Sequence, residues 1–155
     1  MALKSDRFEF QTDISFFYNE GAATRGGVVV HDTAGSGAAM DQGVNLVKYA
    51  QVTASSRPVG VLLNDVVNKD LTRTHLNQHK DEVQKGGKVT VLRKGYVVTN
   101  NITGDPAAGD PAYACHVTAG NFRKDSPGSS GVLQVGRFLS SKDADGYAKV
   151  EVNLP

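Results

Sequence analysis

Pro58-Val59-Gly60-Val61-Leu62-Leu63-Asn64-Asp65-Val66 is the stretch that decides the fold, because its apolar phrase returns as Val135-Gly136-Arg137-Phe138-Leu139. Each copy is a strand-like run with glycine at the second position of the phrase. Glycine weakens a strand interior, so its presence there marks a bulge, a sharp bend or the close approach of another backbone. Two bent strands separated by turn-rich sequence predict a small curled sheet and give no sign of a catalytic pocket.

The rest of the chain reads mostly as strands and turns. Ala148, Val150, Val152 and Leu154 alternate with Tyr147, Lys149, Glu151 and Asn153, the period-two pattern of a half-buried strand. Phe8, Phe10, Thr12 and Ile14 alternate with Glu9, Gln11 and Asp13 in the same way. Val28-Val29-Val30 and the region Asn45 to Val52 are further strand candidates. Lys88-Val89-Thr90-Val91-Leu92 and Tyr96-Val97-Val98-Thr99 flank Lys94-Gly95, which predicts a hairpin. Thr33 to Gly37 and Asp125 to Gly131 read as loops, and Ala108-Gly109-Asp110-Pro111 as a turn. Short strands at regular spacing with turn signals between them predict an all-β barrel or sandwich. One region departs from this. From Asp70 to Lys85, Leu71, His75, Leu76, His79 and Val83 fall near helical spacing, predicting one short helix or ordered loop.

At 155 residues the chain makes one domain, or a domain plus an arm. Seventeen Lys and Arg oppose sixteen Asp and Glu, so no global field recruits nucleic acid or a membrane surface. Locally, residues 57–94 are basic and residues 1–20 acidic, as solvated surfaces usually are, though the two regions would attract each other between subunits. No stretch approaches the roughly 18 apolar residues of a membrane helix, and charges at Lys4, Asp6, Arg7 and Glu9 interrupt any leader-like run. A soluble protein made in a reducing compartment is expected.

Candidate chemistry is sparse. Cys115 is the sole cysteine, which excludes an intrachain disulfide and favours a buried, inert thiol. His116 follows it directly, and on a strand the two side chains would point to opposite faces. His75 and His79 stand four apart, a zinc-like spacing, but Leu76 occupies the place where a zinc protease carries its Glu, and nothing fixes a third ligand. Gly35-Ser36-Gly37 and Gly128-Ser129-Ser130-Gly131 lack the spacing of a nucleophile elbow. Asp143 and Asp145 flank Gly146 closely and read as a turn. No phosphate loop occurs, and the aromatic-basic pairing of a single-strand binder is thin. No enzyme, cofactor or metal is expected.

The positive signal is aromatic. Four of the six phenylalanines, Phe8, Phe10, Phe16 and Phe17, lie in the first 17 residues, and Tyr18 joins them. Phe8, Phe10 and Ile14 share one strand face and are expected to contribute to a core. Phe16 and Phe17 face opposite ways, so both are buried only if each face is covered. Aromatic side chains dominate interface energetics, so docking on a partner is the competing reading.

The runs from Pro58 to Val66, Gly87-Lys88-Val89-Thr90-Val91, Ala108-Gly109-Asp110-Pro111-Ala112-Tyr113-Ala114 and Val135 to Leu139, in this order, resemble the tailed-phage head decoration, or capsid cement, proteins. The similarity covers roughly residues 58–154. It implies a small β-barrel or β-tulip domain, here residues 25–155; an extended N-terminal arm, residues 1–24, is expected ahead of it. It further implies a non-enzymatic virion protein, made in the host cytoplasm and placed on the outer capsid surface, commonly as a homotrimer clamping major capsid protein subunits. The aromatic arm and the 70–85 region depart from shorter relatives. Phe8, Phe10, Ile14, Phe16, Phe17 and Tyr18 are therefore expected to meet the capsid, and Arg73, His75, His79 and Lys80 to form a second interface. The alternative is a carbohydrate or host-surface binding module, with Tyr96, Tyr113 or Tyr147 stacking on sugars; the lack of tryptophan argues against it. A metal-dependent hydrolase built on His75 and His79 is a third.

Overall fold

A computed structural model describes residues 3–21, 23–32, 45–49, 57–65, 82–83, 85–126 and 133–155. Ten strands form one mixed sheet: β1 (Phe8–Tyr18), β3 (Val28–Asp32), β4 (Leu46–Lys48), β5 (Pro58–Asp65), β7 (Lys88–Thr99), β8 (Ile102–Thr103), β9 (Pro111–Ala114), β10 (Phe122–Arg123), β11 (Gln134–Phe138) and β12 (Ala148–Asn153). A separate small pair joins β2 (Ala23–Thr24) to β6 (Glu82–Val83). The fold is all-β, and no helix occurs among the described residues. Of the region expected to be a short helix or ordered loop, residues 70–81 and 84 lie outside the described residues.

The long strand β7 organises the sheet. Its first half pairs with β5 and its second half with β12, while β1 runs antiparallel to it from Phe17↔Lys88 to Phe8↔Tyr96. This corrects the expected hairpin: Lys88 to Thr99 is one continuous strand. Gly95, at φ +145°, serves the close approach of β1 in place of a turn, because a Cβ there would collide with the Phe8 carbonyl oxygen. The pairings β1–β4, β4–β3, β3–β5, β5–β7 and β7–β1 return to their starting strand and close a five-strand ring. Asn19 and Lys48 lock the β1–β4 seam by converging on the Asp32 carboxylate, at 2.8 and 3.2 Å.

Both repeated glycines lie beside a bulge of one kind. In β3–β5 pairing, Val29 faces Gly60 and Val30 faces Pro58, so Val59 is an extra residue. In β9–β11 pairing, Gln134 faces Tyr113 and Gly136 faces Ala112, so Val135 is extra. The glycine after each extra valine lets a neighbouring strand come close. A Cβ at Gly60 would strike the Leu92 carbonyl oxygen, and one at Gly136 the Glu151 carbonyl oxygen.

Two apolar cores lie on opposite faces of the shared strands. Val29, Leu62, Val89 and Val91 join Tyr18, Val47 and Val83 in one. Val28, Val30, Val61, Leu63 and Leu92 face the other way, onto Phe122, Val135, Phe138, Val150 and Val152. Burial on both faces is why β3 and β5 read as continuous apolar runs and do not alternate. β12 is buried on one face only, and its alternation is intact: Ala148, Val150 and Val152 point inward. Buried polar groups on the shared strands are paired. Thr99 Oγ1 donates to the Gly26 carbonyl, and Tyr49 Oη accepts from the Gly27 N–H and donates to the Thr24 carbonyl. Burial pushes the Tyr18 hydroxyl up to about 12 and the Tyr49 hydroxyl further upward, so both stay neutral donors in the interior.

Candidate docking face

The aromatic segment is a strand held against the sheet on one edge. Leu3 bridges Thr99, the Lys4 N–H donates to the Val98 carbonyl, and β1 continues along β7 as far as Lys88. The other edge of β1 is covered by β4 only at Phe17 and Tyr18, where Phe17 N–H reaches the Asn45 carbonyl at 2.8 Å. From Phe8 to Ser15 that edge has no strand partner among the described residues. Near its middle, Asp13 accepts hydrogen bonds from the Ser15 hydroxyl and N–H, which hold its carboxyl below the usual value against the opposing effect of burial. A carboxylate tied to the strand's own backbone in this way discourages indiscriminate edge pairing.

The expected core face of β1 is overturned. Phe8, Phe10 and Ile14 are 53, 73 and 52% exposed. Three register shifts against β7 break the alternation, and Phe10 itself is the extra residue between Glu9↔Gly95 and Gln11↔Lys94. Each shift moves the following side chains out of phase with the partner strand, so a single apolar face read from spacing does not persist along the strand. Beyond the last shift, Tyr18 is buried, and Phe16 packs on the ring core edge-on to His31 at 5.9 Å. Phe17 is half-buried, with Lys88 Nζ 6.0 Å from its ring centre. The six aromatic-segment residues therefore divide into an outward group, Phe8, Phe10 and Ile14, an inward pair, Phe16 and Tyr18, and the half-buried Phe17. Arg73, His75, His79 and Lys80 lie outside the described residues, as do Gly35-Ser36-Gly37 and Gly128-Ser129-Ser130-Gly131.

The outward group continues into a row that crosses the sheet. Phe8 pairs with Tyr96, Tyr96 with Glu151, Glu151 with Arg137, and Arg137 with Pro111. Phe8 stacks on Tyr96 at 6.1 Å, Lys149 Nζ lies 3.8 Å from the Tyr96 ring centre, and Arg137 Nε donates to Glu151 at 2.8 Å. Two shallow grooves follow this row. One lies between Phe8, Phe10, Lys94, Tyr96 and Leu139, the other between Gln134, Gly136, Arg137 and Asn153, with Glu151 lining both. The alternation of β12 already turned Lys149 and Glu151 outward, but which strands lay beside it, and so which residues completed the row, depends on long-range pairing.

The remaining candidates have structural roles. Cys115 is buried; burial pushes its thiol up, but the Thr118 and Val117 N–H groups, the Thr103 hydroxyl and Arg123 outweigh that and bring it below its usual value. The His116 ring meets Arg123 at 3.4 Å, while the Cys115 sulfur accepts from backbone, as opposite orientations require. Asp143 accepts from the N–H groups of Asp145 and Tyr147, around Gly146 at φ +83°, and so builds the expected turn. Tyr147 lies beneath Lys4 Nζ, 4.3 Å from its ring centre, and Tyr113 is half-buried. Among the described residues no group of three or more His, Cys, Asp or Glu side chains is placed to hold a metal ion.

One family model matches the chain, the phage cement family described as "structural cement protein (E217 gp24/Pam3 gp6)", over residues 7–153. That span takes in the outward aromatics, both glycine-bent strands and all of the cross-sheet row. No curated protein matches the chain. A match covering nearly the whole length, on a fold with the family's expected all-β character, places the protein as a structural component of the phage capsid: it belongs to the phage structural cement protein family.

Proposed function

We propose that the protein binds the outer surface of the expanded capsid and clamps neighbouring major capsid protein subunits, with the outward side of β1 as the principal contact. The observation that carries this reading is the exposure of Phe8, Phe10 and Ile14 on a strand fixed along one edge by β7. Large apolar side chains on a strand already fixed by pairing lose little backbone entropy on docking, and burying each stabilises a complex by about 1–3 kcal/mol. The partly open edge of β1 offers backbone groups for strand addition by a capsid segment. A clamp that binds the expanded shell in preference to the unexpanded one stabilises it by mass action, and many copies make a modest interface sufficient. The role is structural and needs no catalysis. A homotrimer is the assembly implied by the family resemblance, and Arg73, His75, His79 and Lys80 are proposed as a second contact with the shell.

Removing residues 1–20 would delete the strand that closes the ring, so surface substitutions make the better test. Wild-type protein and a Phe8→Ser/Phe10→Ser/Ile14→Ser variant are added to capsids stripped of the protein, in expanded and unexpanded form. Saturable binding to expanded shells only, and a loss of about tenfold or more in the variant, is the expected result. Undiminished occupancy by the folded variant would remove β1 from the interface.

A further inference from the structure

We propose that the groove between Phe8, Phe10 and Leu139 receives an extended segment of the capsid protein that places an apolar side chain among these residues and a carboxylate on Lys94. The inference rests on the cement reading for the partner's identity, and on the groove itself for the partner's chemistry.

The two grooves on the outer face carry two cations, Lys94 and Arg137, and one carboxylate, Glu151. Glu151 is already engaged by Arg137 at 2.8 Å. Lys94 lines the aromatic end of the groove, and no carboxylate among the described residues pairs with it. The groove thus presents apolar walls and one positive charge with no carboxylate partner among the described residues, and an occupant bearing a carboxylate beside an apolar residue complements both. Phe8 and Phe10 connect the groove directly to the open edge of β1, so one extended segment can follow the edge and enter the groove without a break. The Gly95 backbone lines the groove between Lys94 and Tyr96, and the lack of a side chain there lets the Phe8 backbone lie close against β7. Lys149, over the neighbouring Tyr96 ring, adds positive potential at the rim.

The test uses full-length protein on expanded, stripped capsids. Treatment with a carbodiimide, which joins amines only to carboxylates in contact, is followed by mass spectrometry of the linked peptides. The expected product joins Lys94 to an Asp or Glu of the capsid protein. Lys94→Arg should bind within about twofold of wild type while losing that link, since the charge remains and the amine does not. Lys94→Glu should weaken binding by about tenfold or more, with Leu139→Ser following in the same direction. All three variants change surface side chains, and unaltered melting temperatures establish that they are folded. Wild-type decoration that is insensitive to Lys94→Glu overturns this inference alone. A link from Lys94 to a second copy of the chain, formed without capsids, also overturns it by identifying a different occupant. Wild-type protein that does not decorate capsids at all overturns both this inference and the cement reading.

Discussion

Strands β1 and β5 flank the same stretch of β7, Val89 to Leu92, on its two edges, and they meet opposite fates. β5 carries Val59, Val61, Leu62 and Leu63, each buried in one or the other of the two cores. β1 is as rich in large apolar residues, yet displays Phe8, Phe10 and Ile14 to solvent. β5 has strands on both edges and a core on each face. β1 has one full-length neighbour, a second at its end, and three register breaks against the first. Apolar content therefore does not decide burial here. What decides it is whether a second layer covers the strand, and over Phe8, Phe10 and Ile14 no such layer is found among the described residues.

The contrast can be broken by substitution. Leu62→Ala, on the doubly covered strand, should lower stability by about 3 kcal/mol in denaturant unfolding, as cavity formation in a packed core does. Gly60→Ala should cost about 2 kcal/mol, because the new methyl meets the Leu92 carbonyl and forces β5 from β7; a neutral result would mean the close approach is not structural. Phe10→Ser should leave stability within about 0.5 kcal/mol of wild type, since the ring is largely in water already. A loss as large as that of Leu62→Ala would show that β1 is core after all. The smallest effect belongs to Asp13. Its lowered carboxyl stabilises the fold above the ordinary aspartate value of 3.8, and that contribution is lost as pH falls through the lower folded value. Asp13→Ala should therefore be less stable than wild type at neutral pH and converge with it in acid. A gap that persists unchanged in acid would show that the Ser15 hydrogen bonds are not its source.

How much of this was legible depended on whether each signal was local. The glycines of the doubled phrase announced bulges and close approach, and both are found, because each sits inside an apolar run where glycine has little other use. β12 announced its faces, since one covered face and one wet face produce alternation. The Lys94-Gly95 pair misled as a turn. A glycine that admits a crossing backbone has the same local sequence as one that turns the chain, and only the position of Phe8 separates them. The phase of β1 was equally hidden: Phe10 is an extra residue only relative to β7, so its spacing from Phe8 and Ile14 gave a face that the pairing dissolves. The cross-sheet row from Phe8 to Pro111 joins five strands from distant parts of the chain, and it appears only when they are registered against one another.

The most direct measurement is a high-resolution image reconstruction of expanded capsids decorated with the wild-type protein. Phe8, Phe10 and Ile14 should lie within about 4.5 Å of major capsid protein atoms, with the edge of β1 against the shell. A reconstruction in which these three residues face solvent while another surface of the molecule meets the capsid would contradict the assignment of β1 as the docking strand.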